Sequence, residues 1–159
     1  MVDAIADYYQ YDEQVFNSTM KSGYQCPYKY INVTRYIEDK INKGQRREVF
    51  STFGYDGDLE DGEFYYFLGD VVAGEVQYGT RVKFCEELAK APNDTEQLMH
   101  WLADYASKTG LSLEEYAAGF VANTTIDYNK NMRQWTYQTC SDLGYFQTPA
   151  RNSKFPILT

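Results

Sequence analysis

The sequence predicts an all-α fold, and three observations predict it. Apolar residues recur at three- and four-residue steps along most of the 159-residue chain. None of the four prolines falls inside a strongly helical window. Alternating apolar and polar runs, which would mark half-buried strands, are scarce. The expectation is a helical bundle of five to seven helices forming one domain with a real core.

Taken in order, Ile5, Tyr8, Tyr9, Asp12 and Phe16 space a first helix from Asp3 to about Met20. A second starts at Pro27, a residue favoured in the first turn, buries Ile31, Ile37 and Ile41, and stops at Gly44. A short segment, RREVFSTFG, and an acidic turn-rich loop, YDGDLEDGEF, follow. From Gly62 to Tyr78, Phe64, Phe67, Leu68, Val71 and Val72 make a strongly apolar helix. Leu98, Trp101, Leu102 and Tyr105 line one side of a helix from about Asp94 to Lys108, which Gly110 closes. Ser112 to Glu115, SLEE, reads as a capping box opening a helix that carries Tyr116, Phe120 and Val121. A last helix begins near Asn129 and runs through Trp135 toward Cys140; beyond Gly144 the chain reads as irregular.

Composition narrows the function classes. The formal net charge of −8 and a pI near 4.6 argue against nucleic acid, whose phosphates need a basic face. No apolar run approaches the ~18 residues of a membrane helix. Sixteen tyrosines and nine phenylalanines place unusual amounts of amphipathic surface at the core boundary or an interface. Asn17, Asn32, Asn93 and Asn123 each begin an N-x-Ser/Thr acceptor. Eight Asn and 19 Ser or Thr make roughly one such match expected by chance, so four point to the secretory pathway. No signal peptide opens the chain; with four acceptors, that reads as a piece of a longer protein. Cys26, Cys85 and Cys140 allow one bridge and one leftover thiol, or three buried free thiols.

Dedicated chemistry is thin. The run DGDLEDGE from Asp56 fails the calcium-loop register, with Asp61 where glycine is needed and Phe67 where glutamate is needed. His100 is the only histidine, and no G-x-S-x-G elbow accompanies it. No metal-ligand spacing occurs, and no cofactor is expected. Glu86-Glu87 and Glu114-Glu115 are adjacent and diverge on a helix, so they read as solvated faces. What remains is RQWTYQTCSDLGYFQT, Arg133 to Thr148, with four aromatics, three glutamines and a cysteine. Helix core with its ending, or a wall presenting aromatics to a ligand, would both suit it.

That block resembles the W-x-x-Q-x-C-T-E-x-x-Y-F-Q block of the prolyl carboxypeptidase and dipeptidyl peptidase II family of serine peptidases. FGYDGDLEDGEFYYFLGDVVAGEVQYGTRVKFCEEL is similar to the family's F-G, D-F-x-Y-x-x-A-D, Q-Y-G and Cys segment. VDAIADYYQYDEQV matches the stretch after the nucleophile strand, ending Y-D-E-x-V. The three blocks keep the family's order over positions 2 to 148. Ser141-Asp142 replaces the usual Thr-Glu, and the segments that carry the Ser-Asp-His triad are not in this sequence.

The resemblance implies that residues 1–148 are the helical cap inserted in an α/β-hydrolase, with 149–159 a tail leading toward the hydrolase core. It implies a substrate-selecting role in a secreted or lysosomal-type exopeptidase acting next to proline, with no catalytic residues here and no activity alone. Tyr145 would line the proline pocket, with Phe146, Trp135, Gln138 and Asp142 around it. The partner would be a peptide bound with the hydrolase core; a homodimer stays open. Cys26 and Cys85 are expected to form an internal bridge, and the resemblance implies that Cys140, whose counterpart tends to pair further downstream, is free here. A stand-alone glycoprotein derived from the cap, with a binding or structural role, is the alternative.

Overall fold

In the computed structural model, which describes residues 10–144, every regular element is helical among the described residues. Eight α-helices occur: α1 (Gln10–Met20), α2 (Gln25–Asn42), α3 (Arg46–Thr52), α4 (Asp61–Gln77), α5 (Arg81–Lys90), α6 (Thr95–Lys108), α7 (Ala118–Ala122) and α8 (Met132–Gln138). A 3-10 turn, Leu113–Tyr116, precedes α7, and a π turn, Thr139–Leu143, continues α8. The all-α expectation is met, with one helix more than the range foresaw.

α2 is the hub. Its wide apolar face takes α1, α3, α5 and α6, while Tyr28, Asn32, Arg35 and Asp39 keep one stripe in solvent. Tyr30, Ile31, Val33 and Ile37 are almost wholly buried. α4 is the second long element, against α1, α5 and the 3-10 turn. It buries Phe64, Phe67, Leu68, Val71 and Val72, the spacing the sequence marks. Each such side chain contributes roughly 1.5–3 kcal/mol on leaving water.

Edge-to-face rings knit these helices together. Phe53 meets Phe64 at 5.2 Å between centroids, Phe67 meets Tyr116 at 5.4 Å, and Phe84 meets Tyr105 at 5.2 Å. Tyrosine hydroxyls in and against the core find partners: the buried Tyr30 donates to the Leu68 carbonyl, and the partly buried Tyr105 to Glu75 Oε1 at 2.8 Å. Burial raises both phenols well above the usual tyrosine range. A disulfide joins Cys26 of α2 to Cys85 of α5, Cα atoms 5.3 Å apart, and Cys140 is free and exposed. The expected bridge between Cys26 and Cys85 is present.

Three local expectations need correction. α5 is a full helix that sequence reading passed over, because only Phe84, Cys85 and Leu88 are buried in ten residues rich in charge. The SLEE segment makes no capping bond from Ser112; it is a 3-10 turn, and the helix foreseen through Val121 splits at Ala117, where the backbone is extended. Capping of this kind occurs instead at α4, where Glu63 Oε2 accepts from the Glu60 N–H at 2.7 Å. The other helix ends follow the sequence more closely. Asp94 caps α6 by accepting from the Gln97 N–H at 3.0 Å, and Gly110, at φ +83°, closes it in the left-handed region. The predicted part of the first helix before Gln10 lies outside the described residues.

Candidate functional site

A cavity of about 750 Å³ opens between α4 and the start of α8. Its floor is one stripe of α4: Tyr66, Asp70, Gly74 and Gln77 follow one another at three- and four-residue steps on one face. Tyr11 of α1 and Tyr116 of the 3-10 turn close two sides. Asn131, Met132 and Trp135, from the opening turns of α8, form the far wall. The Trp135 block therefore does present an aromatic to a concave surface.

Among the described residues, Asp70 is the only charged side chain lining this cavity. The Tyr116 hydroxyl donates to its Oδ2 at 2.9 Å. Burial pushes the carboxyl up to about 6, against a smaller downward pull from that hydrogen bond. The same contact raises the Tyr116 phenol, with burial first and the Asp70 charge second. No lysine or arginine among the described residues is paired with Asp70. A perturbed acid facing a cleft is the kind of group that binding sites arrange.

The residues singled out from the sequence are placed unevenly. Trp135 lines the cavity and is 41% exposed. Gln138 ends α8 and Asp142 sits in the π turn; both side chains are exposed and neither lines the cavity. Gly144, at φ +56°, makes the left-handed turn expected of it. Tyr145 and Phe146 lie outside the described residues. Asn17, Asn32, Asn93 and Asn123 are all exposed. His100 is exposed on α6.

Sequence reading missed Asp70 and Tyr116 as site residues. The signal was there for Asp70: it is the one acid between Phe64 and Val72, inside the most apolar helix of the chain. Tyr116 carried no such mark.

The sequence profile of the serine carboxypeptidase S28 family matches residues 1–157. The chain belongs to the S28 serine peptidase family. A probable serine protease, EDA2, of Arabidopsis thaliana is 26% identical over 152 residues, covering 92% of this chain and 30% of that protein. The chain thus spans about a third of that relative's length. No solved structure matches. The E-F-Y-Y-F-L-G-D segment, Glu63 to Asp70, supplies Tyr66 and Asp70 of the cavity floor, and the tryptophan of RQWTYQTC is part of its far wall.

Proposed function

We propose that this chain is the helical cap of an S28 serine exopeptidase that cleaves beside proline, and that it selects substrate rather than performing the chemistry. The observation that carries this reading is the family match running through residues 1–157 of a sequence with no G-x-S-x-G nucleophile elbow. The helical fold and an aromatic-lined cavity beside the Trp135 block support it. Covering the acyl-transfer site would exclude water and limit the length of peptide admitted. The disulfide and four exposed acceptor asparagines favour a secreted or lysosomal-type setting.

Tyr145 and Phe146 follow the Gly144 turn directly, and the family resemblance assigns the matching tyrosine to the proline pocket. A rigid proline ring stacks on an aromatic face at small entropic cost. In the complete enzyme, Tyr145→Ala should lower kcat/KM for a proline substrate five- to tenfold relative to its alanine counterpart, about 1 kcal/mol of transition-state binding. Paired fluorogenic substrates and a melting curve measure this. An unchanged ratio with a lower Tm would make Tyr145 ordinary core and remove it from the pocket. The 159-residue chain alone should turn over neither substrate.

A further inference from the structure

Asp70 sits in an environment that penalises its charge. It is largely buried, no basic residue among the described ones answers it, and its carboxyl titrates high because of that burial. A carboxylate of this kind destabilises the empty fold, and a bound cation would relieve it.

The rings around it have the matching chemistry. Tyr66 and Tyr116 stand edge to face, centroids 5.5 Å apart, beside the carboxylate. Tyr11, Tyr78 and Trp135 line the same cavity. Electron-rich ring faces beside one carboxylate are what desolvated ammonium groups bind, and tryptophan is the strongest such face. The polar remainder, Gln77 and Asn131, is neutral.

Gly74 is a separate observation. It lies inside α4, where glycine costs about 1 kcal/mol against alanine. A Cβ built there would meet nothing within 4 Å, so no neighbouring chain requires glycine. A side chain at this position would instead project into the cavity, one turn beyond Asp70. The bare position keeps the floor open.

From these features we infer that the cavity is a binding site for an organic ammonium group, held by Asp70 and the rings of Tyr66, Tyr116 and Trp135. The cation's source is a peptide α-amine, a lysine side chain or a small quaternary amine, and the chemistry of recognition is common to all three. Ammonium binding stands on the cavity; only its use in substrate selection rests on the proposed cap role.

The test is titration of the 15N-labelled chain at pH 7.5, following the indole N–H signals of Trp135 and Trp101. Three probes are used: alanyl-proline amide, Nα-acetyl-lysine methylamide and tetramethylammonium. N-acetyl-alanyl-proline amide is the uncharged control. At least one ammonium probe should move the Trp135 signal and leave that of Trp101, on α6, in place. The responding probe identifies the source. Asp70→Asn should weaken that binding at least tenfold, and acetylation of the dipeptide should do the same if the α-amine is the ligand. Gly74→Leu, which keeps the charge but fills the floor, should abolish binding with helical circular dichroism retained. Equal binding by the acetylated control, an unaffected Asp70→Asn variant, or no response to any probe overturns the inference. None of these outcomes bears on the proline ratio in the complete enzyme, so the two readings fail separately.

Discussion

Residues 10–117 and residues 118–144 are built on different physical terms. Every buried hydrophobic side chain among the described residues lies between Val15 and Ala117. After Ala117, Phe120 and Met132 pack only partly on the core, and Thr139 alone is buried. Ile126, Tyr128, Trp135, Tyr137 and Leu143 are exposed. The first region carries its own stability. The second is held by edges and hydrogen bonds, and it keeps its apolar surface facing outward. Binding surfaces are drawn from the less stable parts of a fold, and the cavity lies on the seam between the two.

The contrast breaks most visibly at the disulfide. Cys26 and Cys85 are 59 residues apart, so their bridge contributes about 4 kcal/mol in the chain-entropy model. Replacing both by serine should lower the unfolding free energy of the whole chain, read from urea melts, by that amount. Cys140→Ser, in the second region, should change it by less than about 0.5 kcal/mol. Comparable losses from the two replacements would mean that the regions share one source of stability.

The seam itself responds to pH through Asp70. Its pKa rises on folding from 3.8 to about 6. The folded chain therefore holds the proton more tightly, and this contribution to stability is complete below about pH 4 and lost as pH rises through 6. Tyr30 and Tyr116, which face Asp70, are pushed upward and stay neutral throughout. Asp70→Asn removes the loss. The variant should exceed the parent in stability by about 2–3 kcal/mol at pH 8 and match it at pH 4. Urea midpoints at the two pH values decide; a difference independent of pH would show that Asp70 is not desolvated as described.

Glu63 gives the smallest and most local test. Its Oε2 accepts from the Glu60 N–H at 2.7 Å and its Oε1 from the Ala118 N–H at 2.6 Å, so one carboxylate ties the start of α4 to the start of α7. Glu63→Ala should cost about 1–2 kcal/mol. Amide exchange should quicken in Ala118–Ala122 while the amides of α2 keep their protection. Uniform acceleration would instead make Glu63 part of the global core.

How far the sequence foretells this arrangement depends on what each residue touches. α2, α4 and α6 were legible because their apolar stripes are wide and their partners are other stripes. α5 was not, since Phe84, Cys85 and Leu88 suffice to anchor it only once α2 and the disulfide are in place. Ser112 and Glu115 fit a capping pattern, yet the turn they begin is docked by Leu113 and Tyr116 into the core, and burial overrode the cap. The cavity was half legible. Trp135 drew attention as an aromatic with no evident place in a core. Asp70 and Tyr116 come together from positions 46 residues apart, a pairing that no local spacing encodes.

The covalent link between α2 and α5 also decides what a protease encounter would leave behind. The acidic segment 53–60, with Asp56, Gly57 and Asp58 exposed, lies inside the ring that Cys26 and Cys85 close. A single cut there opens the ring without separating its pieces. The nicked molecule keeps both fragments on one covalent framework, migrates as a single species until reductant is added, and retains α2 against α5 at the centre of the core. A chain cut at this exposed turn thus loses a peptide bond and still does not come apart.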